Sequence, residues 1–123
     1  MPSALAAVDT SVLIAWQNPD EPGHADATTM IATWPRKVIH TLNLAEFLTG
    51  YPADDCPAML AVLARNGFAW FDTTAEALAA ARRDTGLKMP DACVLAVARA
   101  QGADAVLTLD QRLLHAAERH GFA

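Results

Sequence analysis

The chain has 123 residues and a formal net charge of −5, a length that predicts a single domain, 1–123, burying roughly two-thirds of its unfolded surface without metal or disulfide staples. With 53% apolar residues it is not a disordered chain, and no apolar run approaches the roughly 20 residues that span a bilayer. The acidic balance excludes a protein that grips phosphates by bulk charge, because such proteins are basic. A polyanionic partner would need a metal ion, a local basic patch or a second subunit.

The start, Met1-Pro2-Ser3, lacks the charged segment of a signal peptide, so the expected location is cytoplasmic. Ala4-Leu5-Ala6-Ala7-Val8 is a continuous apolar run that reads as a strand buried on both faces of a parallel sheet. Asp9 ends it, and Thr10 and Ser11 are natural helix starters before Val12–Trp16, a short helix stopped by Asn18-Pro19. Ala27, Met30, Ile31 and Trp34 mark one face of a second helix that ends at Pro35. Lys37–Thr41 is β-branched and reads as strand two, followed by a helix over Leu42–Leu48 that carries Glu46.

Asp54, Asp55 and Pro57 open a fourth helix that Asn66-Gly67 closes. Phe68–Phe71 reads as strand three, ending at Asp72. Thr73 with Glu76 matches a capping box for a helix from Thr74 to Thr85. Lys88-Met89-Pro90-Asp91 begins a sixth helix that runs to Gly102. Ala105–Leu109 is strand four, and Asp110 leads into a last helix with Leu113, Leu114 and Ala117 inward. Strands alternating with helices or helix pairs predict an α/β fold, a three-layer α/β/α sandwich around a mainly parallel sheet of four or five strands. The two cysteines, Cys56 and Cys93, have no zinc-type spacing and read as small residues of a reduced chain.

Most of the 14 acidic residues fall in loops, first turns or exposed helix positions, where solvation explains them. Asp9, Glu46, Asp91 and Asp110 remain, with Asp72 as a turn acid. Asp9 and Asp110 end strands, Glu46 opens the helix after strand two, and Asp91 continues the apolar stripe Val94, Leu95, Ala98 of its helix. Each also has a local explanation: capping by Asp9 and Asp110, a first-turn acid at Asp91, and a capping box Asn43-x-x-Glu46. Sites in parallel α/β sheets form beyond the carboxyl ends of the strands. Were the four to converge at about 5 Å, each like-charge pair would cost about 3 kcal/mol at an effective dielectric near 20. Protonation or a divalent cation would relieve that, and ligands that are all oxygen point to Mg²⁺ or Mn²⁺. The four histidines, His24, His40, His115 and His120, are scattered and read as surface residues or neighbours of the site.

Val8-Asp9-Thr10-Ser11-Val12-Leu13, Asn43-Leu44-Ala45-Glu46-Phe47, Met89-Pro90-Asp91-Ala92 and Leu107-Thr108-Leu109-Asp110 resemble the four acidic motifs of PIN domains. The likeness is strongest to VapC-type toxins of toxin–antitoxin pairs, and it covers nearly the whole chain. The resemblance implies a Mg²⁺- or Mn²⁺-dependent endoribonuclease in which Asp9, Glu46, Asp91 and Asp110 are catalytic and hold the metal. Thr10, Ser11 and Thr108 would be their polar neighbours. It further implies an RNA substrate, a VapB-like antitoxin that blocks the site, and a homodimer that forms a heterotetramer or larger assembly with it. Arg82, Arg83 and Lys88, just before Asp91, are candidate RNA phosphate contacts. Leu113 departs from the family pattern, which often has an aromatic after the last acid, and the chain ends soon after the final helix, so a fifth strand would be short or missing. Two other readings differ in class: a PIN-like scaffold that binds RNA or a partner without cutting, and a phospho-signalling receiver with Asp72 as acceptor.

Overall fold

The computed structural model describes residues 4–122. Four strands, β1 (Leu5–Val8), β2 (Arg36–His40), β3 (Phe68–Phe71) and β4 (Ala105–Leu107), form one sheet in the order β3-β2-β1-β4. All three pairings are parallel, with Ala7 opposite Val38 and Val106, and His40 opposite Phe71. No fifth strand is present among the described residues. Among the described residues seven α-helices connect and cover the sheet: α1 (Thr10–Gln17), α2 (His24–Thr33), α3 (Thr41–Leu48), α4 (Cys56–Arg65), α5 (Ala75–Thr85), α6 (Met89–Gln101) and α7 (Gln111–Arg119).

The pleat sorts the strand residues between two cores. Leu5, Ala7, Val38 and Val106 face Ala81 of α5, the middle of α6, and Leu113, Ala116 and Ala117 of α7. Ala6, Val8, Ile39 and Leu107 face Val12 and Leu13 of α1, Ala27 and Ile31 of α2, Leu44 and Phe47 of α3, and Leu63 of α4. The unbroken apolar run of β1 is thereby explained: all four residues are buried, because both faces are covered. The helix α6 is buried along the whole of Ala92–Ala98 rather than along one stripe. A helix apolar on all sides suits the middle of a layer, packed between the sheet and α5.

Two local details differ from the sequence expectations. Thr74, not Thr73, caps α5, its hydroxyl accepting from Ala77 N at 3.1 Å. His40, not Asn43, caps α3, its Nδ1 accepting from Leu42 N at 3.0 Å. The helix begins at Thr41, so Asn43 is already inside it and cannot serve as a cap. His40 is correspondingly buried rather than a surface residue.

The start of β2 depends on a close approach. Gly67 has φ +83°, and a Cβ there would lie 1.8 Å from the Pro35 carbonyl oxygen. Glycine alone fits this backbone, and its carbonyl accepts from Lys37 N at 2.9 Å. No helix among the described residues is long and apolar enough to cross a membrane.

Candidate metal centre at the carboxyl edge of the sheet

Asp9 follows β1 directly, its amide still donating to Leu107 O of β4 at 3.0 Å. It occupies the N-cap position of α1 but makes no side-chain cap bond. Its Oδ2 instead accepts from two hydroxyls, Ser11 Oγ and Thr108 Oγ1, both at 2.8 Å. The capping explanation for Asp9 therefore fails. A carboxylate 7% exposed is held at one oxygen by side chains from the first turn of α1 and from the end of β4.

The hydroxyls are themselves fixed. Ser11 Oγ accepts from Leu109 N at 3.2 Å, and Thr108 Oγ1 accepts from Asp110 N at 3.0 Å. The loop after β4 is thus tied to the Asp9 carboxylate through both. Asp110 does cap its helix, Oδ1 accepting from Arg112 N at 2.8 Å and Leu113 N at 3.5 Å. Capping accounts for one of its oxygens and sets the direction of the other.

Glu46 sits on the exposed side of α3. The one hydroxyl proton of Thr10 is shared, donating to Asn43 O at 3.0 Å with a longer 3.4 Å approach to Glu46 Oε1. Asn43 is fully buried and donates through Nδ2 to Pro90 O at 2.9 Å, with a longer 3.5 Å approach to Glu46 Oε1. It therefore joins the helix that carries Glu46 to the first turn of the helix that carries Asp91. Its Oδ1 is buried without a hydrogen-bond partner among the described residues. The sequence offers Asn43 both as a capping-box residue and as the first residue of the motif around Glu46, and the only sequence signal for its real place is an amide at a position that the helix buries.

Asp91, in the first turn of α6, shows what these acids do to one another. Burial pushes its carboxyl up from the ordinary carboxylate value, and Asp9, Asp110 and Glu46 push it further in the same direction. Arg112 opposes them. The four acids thus lie within one electrostatic field. They do not, however, form the tight cluster that the sequence expectation supposed. Among the described residues no group of three or more His, Cys, Asp or Glu side chains is drawn close enough to hold a metal ion as it stands. Like charges without a cation between them repel, and a looser arrangement is the one that repulsion favours.

The donor set nonetheless fits a hard divalent ion. All its groups are oxygens, and Mg²⁺ keeps several waters while taking only one or two carboxylates directly. Of the sequence candidates for phosphate contact, Arg82, Arg83 and Lys88 are all exposed; Arg82 Nε donates to Leu87 O at 3.2 Å, and Lys88 occupies the N-cap position of the helix that carries Asp91. Arg112, which the sequence reading passed over, is the cation whose field reaches Asp91. Asp72, at the end of the outer strand β3, is exposed and acts on His40 and Cys93 rather than on Asp91. Cys93 is buried, its thiol pushed up to about 11 by burial and by Glu46 and Asp72, so it is not a nucleophile.

This architecture is similar to several solved structures. Mycobacterium tuberculosis VapC20, a sarcin–ricin loop cleaving toxin, matches with TM-score 0.72 and 20% identity over 96% of each chain. A toxin–antitoxin complex from Klebsiella pneumoniae matches with TM-score 0.66 and 25% identity, over 85% of this chain and 86% of that one. A Pyrobaculum aerophilum protein matches with TM-score 0.61 and 21% identity, over 98% of this chain and 88% of that one. No curated protein matches in sequence. The PIN domain family model matches residues 6–119. With the four-stranded parallel sheet and the acids gathered at its carboxyl edge, that match over nearly the whole chain means that the protein belongs to the PIN domain family.

Proposed function

We propose that the protein is a divalent-metal-dependent endoribonuclease and the toxin of a toxin–antitoxin pair. The observation that carries this reading is Asp91, half-buried in the field of three further carboxylates with only Arg112 opposing them. A marginally stable domain keeps such repulsion where a cation is to be bound. The family and the likeness to a toxin that cleaves the sarcin–ricin loop support RNA as substrate.

Asp9 and Asp91 would hold the ion, with Glu46 and Asp110 beside them, and Mg²⁺ or Mn²⁺ suits their oxygens. When bound, the ion supplies activation of water and charge neutralisation at the phosphate. The chain's own residues supply the order. Ser11 and Thr108 fix which oxygen of Asp9 is free to face the ion, because Oδ2 is already occupied by both hydroxyls. Thr10 steadies Glu46. Asn43 sets the spacing between Glu46 and Asp91 through Pro90 O. A bound cation also lets a chain of net charge −5 accept a polyanion, with Arg112, Arg82, Arg83 and Lys88 as candidate contacts to neighbouring phosphates.

The toxin reading brings a VapB-like antitoxin, homodimerisation, and a heterotetramer or larger assembly in the cytoplasm. The complex among the similar structures supports the antitoxin. One observation favours a second reading, a scaffold that binds RNA or a partner without cutting it: no ready-made cage stands among the described acids. Incubating the purified protein with a panel of cellular RNAs, with Mn²⁺ and with EDTA, separates the two. Cleavage that EDTA stops and Mn²⁺ restores is expected. Intact RNA in the presence of Mn²⁺ overturns the nuclease reading.

A further inference from the structure

Beside the acids, between α1 and α3, lies a groove of about 420 Å³ whose lining includes Ile14, Gln17, Asn18, Glu46, Phe47 and Tyr51. We infer that it is a subsite for one unpaired nucleobase of the RNA, next to the scissile phosphate. The inference rests on the ribonuclease reading and gives it a source of sequence preference.

Charge argues for a base rather than a phosphate. Glu46 is the one charged residue lining the groove, so an anion entering it meets a carboxylate and no counter-charge. A neutral heteroaromatic ring meets no such penalty. Glu46 also lines the acidic site, so the groove is continuous with the place where a backbone phosphate would lie.

The lining has the two parts that base recognition needs, a flat apolar contact and edge-reading polar groups. The Tyr51 ring is half-buried and set edge-on to Phe47, with centroids 5.3 Å apart. Ile14 faces it from α1 and is 45% exposed, the most exposed large aliphatic side chain in the described structure. Two adjacent amides from the end of α1, Gln17 and Asn18, belong to the lining. Asn18 Oδ1 accepts from Asp20 N at 3.1 Å, which leaves its Nδ2 to donate outward. Gln17 can donate and accept. An apolar slot with amides in its lining suits a base stacked on a ring and read on its edge better than it suits a plain apolar side chain.

Two measurements test this. In the first, a randomised single-stranded RNA pool is cut with Mn²⁺ and the cut sites are sequenced. Wild type is expected to show a base preference at one position beside the cut. Asn18→Asp keeps the oxygen that accepts from Asp20 N and removes the donor; it should flatten that preference. Tyr51→Ala should flatten it too and raise KM about tenfold, the scale of a lost base–aromatic stack, with kcat changed less.

In the second, the four nucleosides, uncharged and needing no metal, are titrated while the side-chain amide resonances of Gln17 and Asn18 are followed by NMR. Shifts with at least one nucleoside and none with ribose 5-phosphate are expected. Shifts without any RNA cleavage keep the base site and remove the nuclease reading. Cleavage with the wild-type preference in both variants, or no shift with any nucleoside, overturns the subsite and gives the groove to a protein partner instead.

Discussion

Lys37, second residue of β2, and Asp9, just past the end of β1, are both buried, at 2% and 7% exposure. The chain compensates them in opposite ways. Lys37 Nζ donates to Ile31 O at 3.0 Å and also to Trp34 O, and it lies 5.2 Å from the centre of the Phe68 ring. Both carbonyls belong to the C-terminal end of α2, where a helix leaves acceptors unsatisfied and its dipole is negative. Burial lowers the Lys37 pKa, but the donors are used and the charge is answered inside the protein. At the other edge the hydroxyls of Ser11 and Thr108 satisfy one oxygen of Asp9, while its charge acts on another carboxylate, Asp91, and adds to the repulsion there. A buried charge that the fold answers internally is architecture. One that is surrounded by its own sign is kept for something that arrives from outside.

The sharpest break of that contrast is Asp91→Asn. It should lower RNA cleavage on the order of a hundred- to a thousandfold, the scale of losing a principal electrostatic contact to the reacting group. Melting temperature should stay equal or rise, because a repelling charge is gone. Asp9→Asn should behave alike in cleavage. If both variants melt far below wild type, the acids are structural and the contrast with Lys37 collapses. Lys37→Met is the converse test. It leaves the carbonyls of Ile31 and Trp34 without their donor and should cost about 3 kcal/mol in denaturant unfolding, while the Mn²⁺ dependence of cleavage by the folded fraction is unchanged.

Much of this was legible beforehand, and the reasons are local. The apolar run Leu5–Val8 and the β-branched run at Val38–Ile39 fixed two central strands, and Pro90 marked the start of α6. Parallel topology then sent Asp9 and Asp110 to one edge. Two of the misses share a cause, a local pattern overridden by a partner distant in sequence. Asn43-x-x-Glu46 has the letters of a capping box, yet His40 takes the cap and Asn43 turns to Pro90, 47 residues away. Thr73 has the same spacing to Glu76, yet it faces His40 across the sheet edge and leaves the cap to Thr74. Arg112 drew no notice because nothing in Gln111-Arg112-Leu113 announces that the first turn of α7 overlooks Asp91. The degree of closure among the acids could not be read from spacing, since it depends on whether repulsion or a cation decides their separation.

A smaller effect sharpens the comparison at the hydroxyls. Thr108→Val keeps the β-branched shape in the buried strand end and removes the donor to Asp9 Oδ2, along with the acceptor for Asp110 N. Losing a group that orients a ligand costs about 10- to 100-fold in metal affinity or activity. The Mn²⁺ concentration for half-maximal cleavage should rise by that factor. An unchanged requirement would mean that Asp9 is oriented by Ser11 alone.

The smallest expected effect concerns His40, another buried ionisable group, which belongs with Lys37 as architecture. Its Nδ1 accepts from Leu42 N, so Nε2 carries the proton and donates to Thr73 Oγ1 at 2.9 Å. Burial lowers its pKa below the ordinary 6.5, and Asp72 only partly opposes this. The folded state therefore binds fewer protons than the unfolded one between its lowered pKa and 6.5. Stability from this cap is complete above 6.5 and is lost as the pH falls through the folded-state value, because a proton on Nδ1 ends the bond from Leu42 N. His40→Asn keeps a capping acceptor and does not titrate. As the pH falls below 6.5, wild type should lose more stability than the variant in urea unfolding. Equal losses in the two proteins would show that the acid sensitivity arises elsewhere and that His40 does not hold the start of α3.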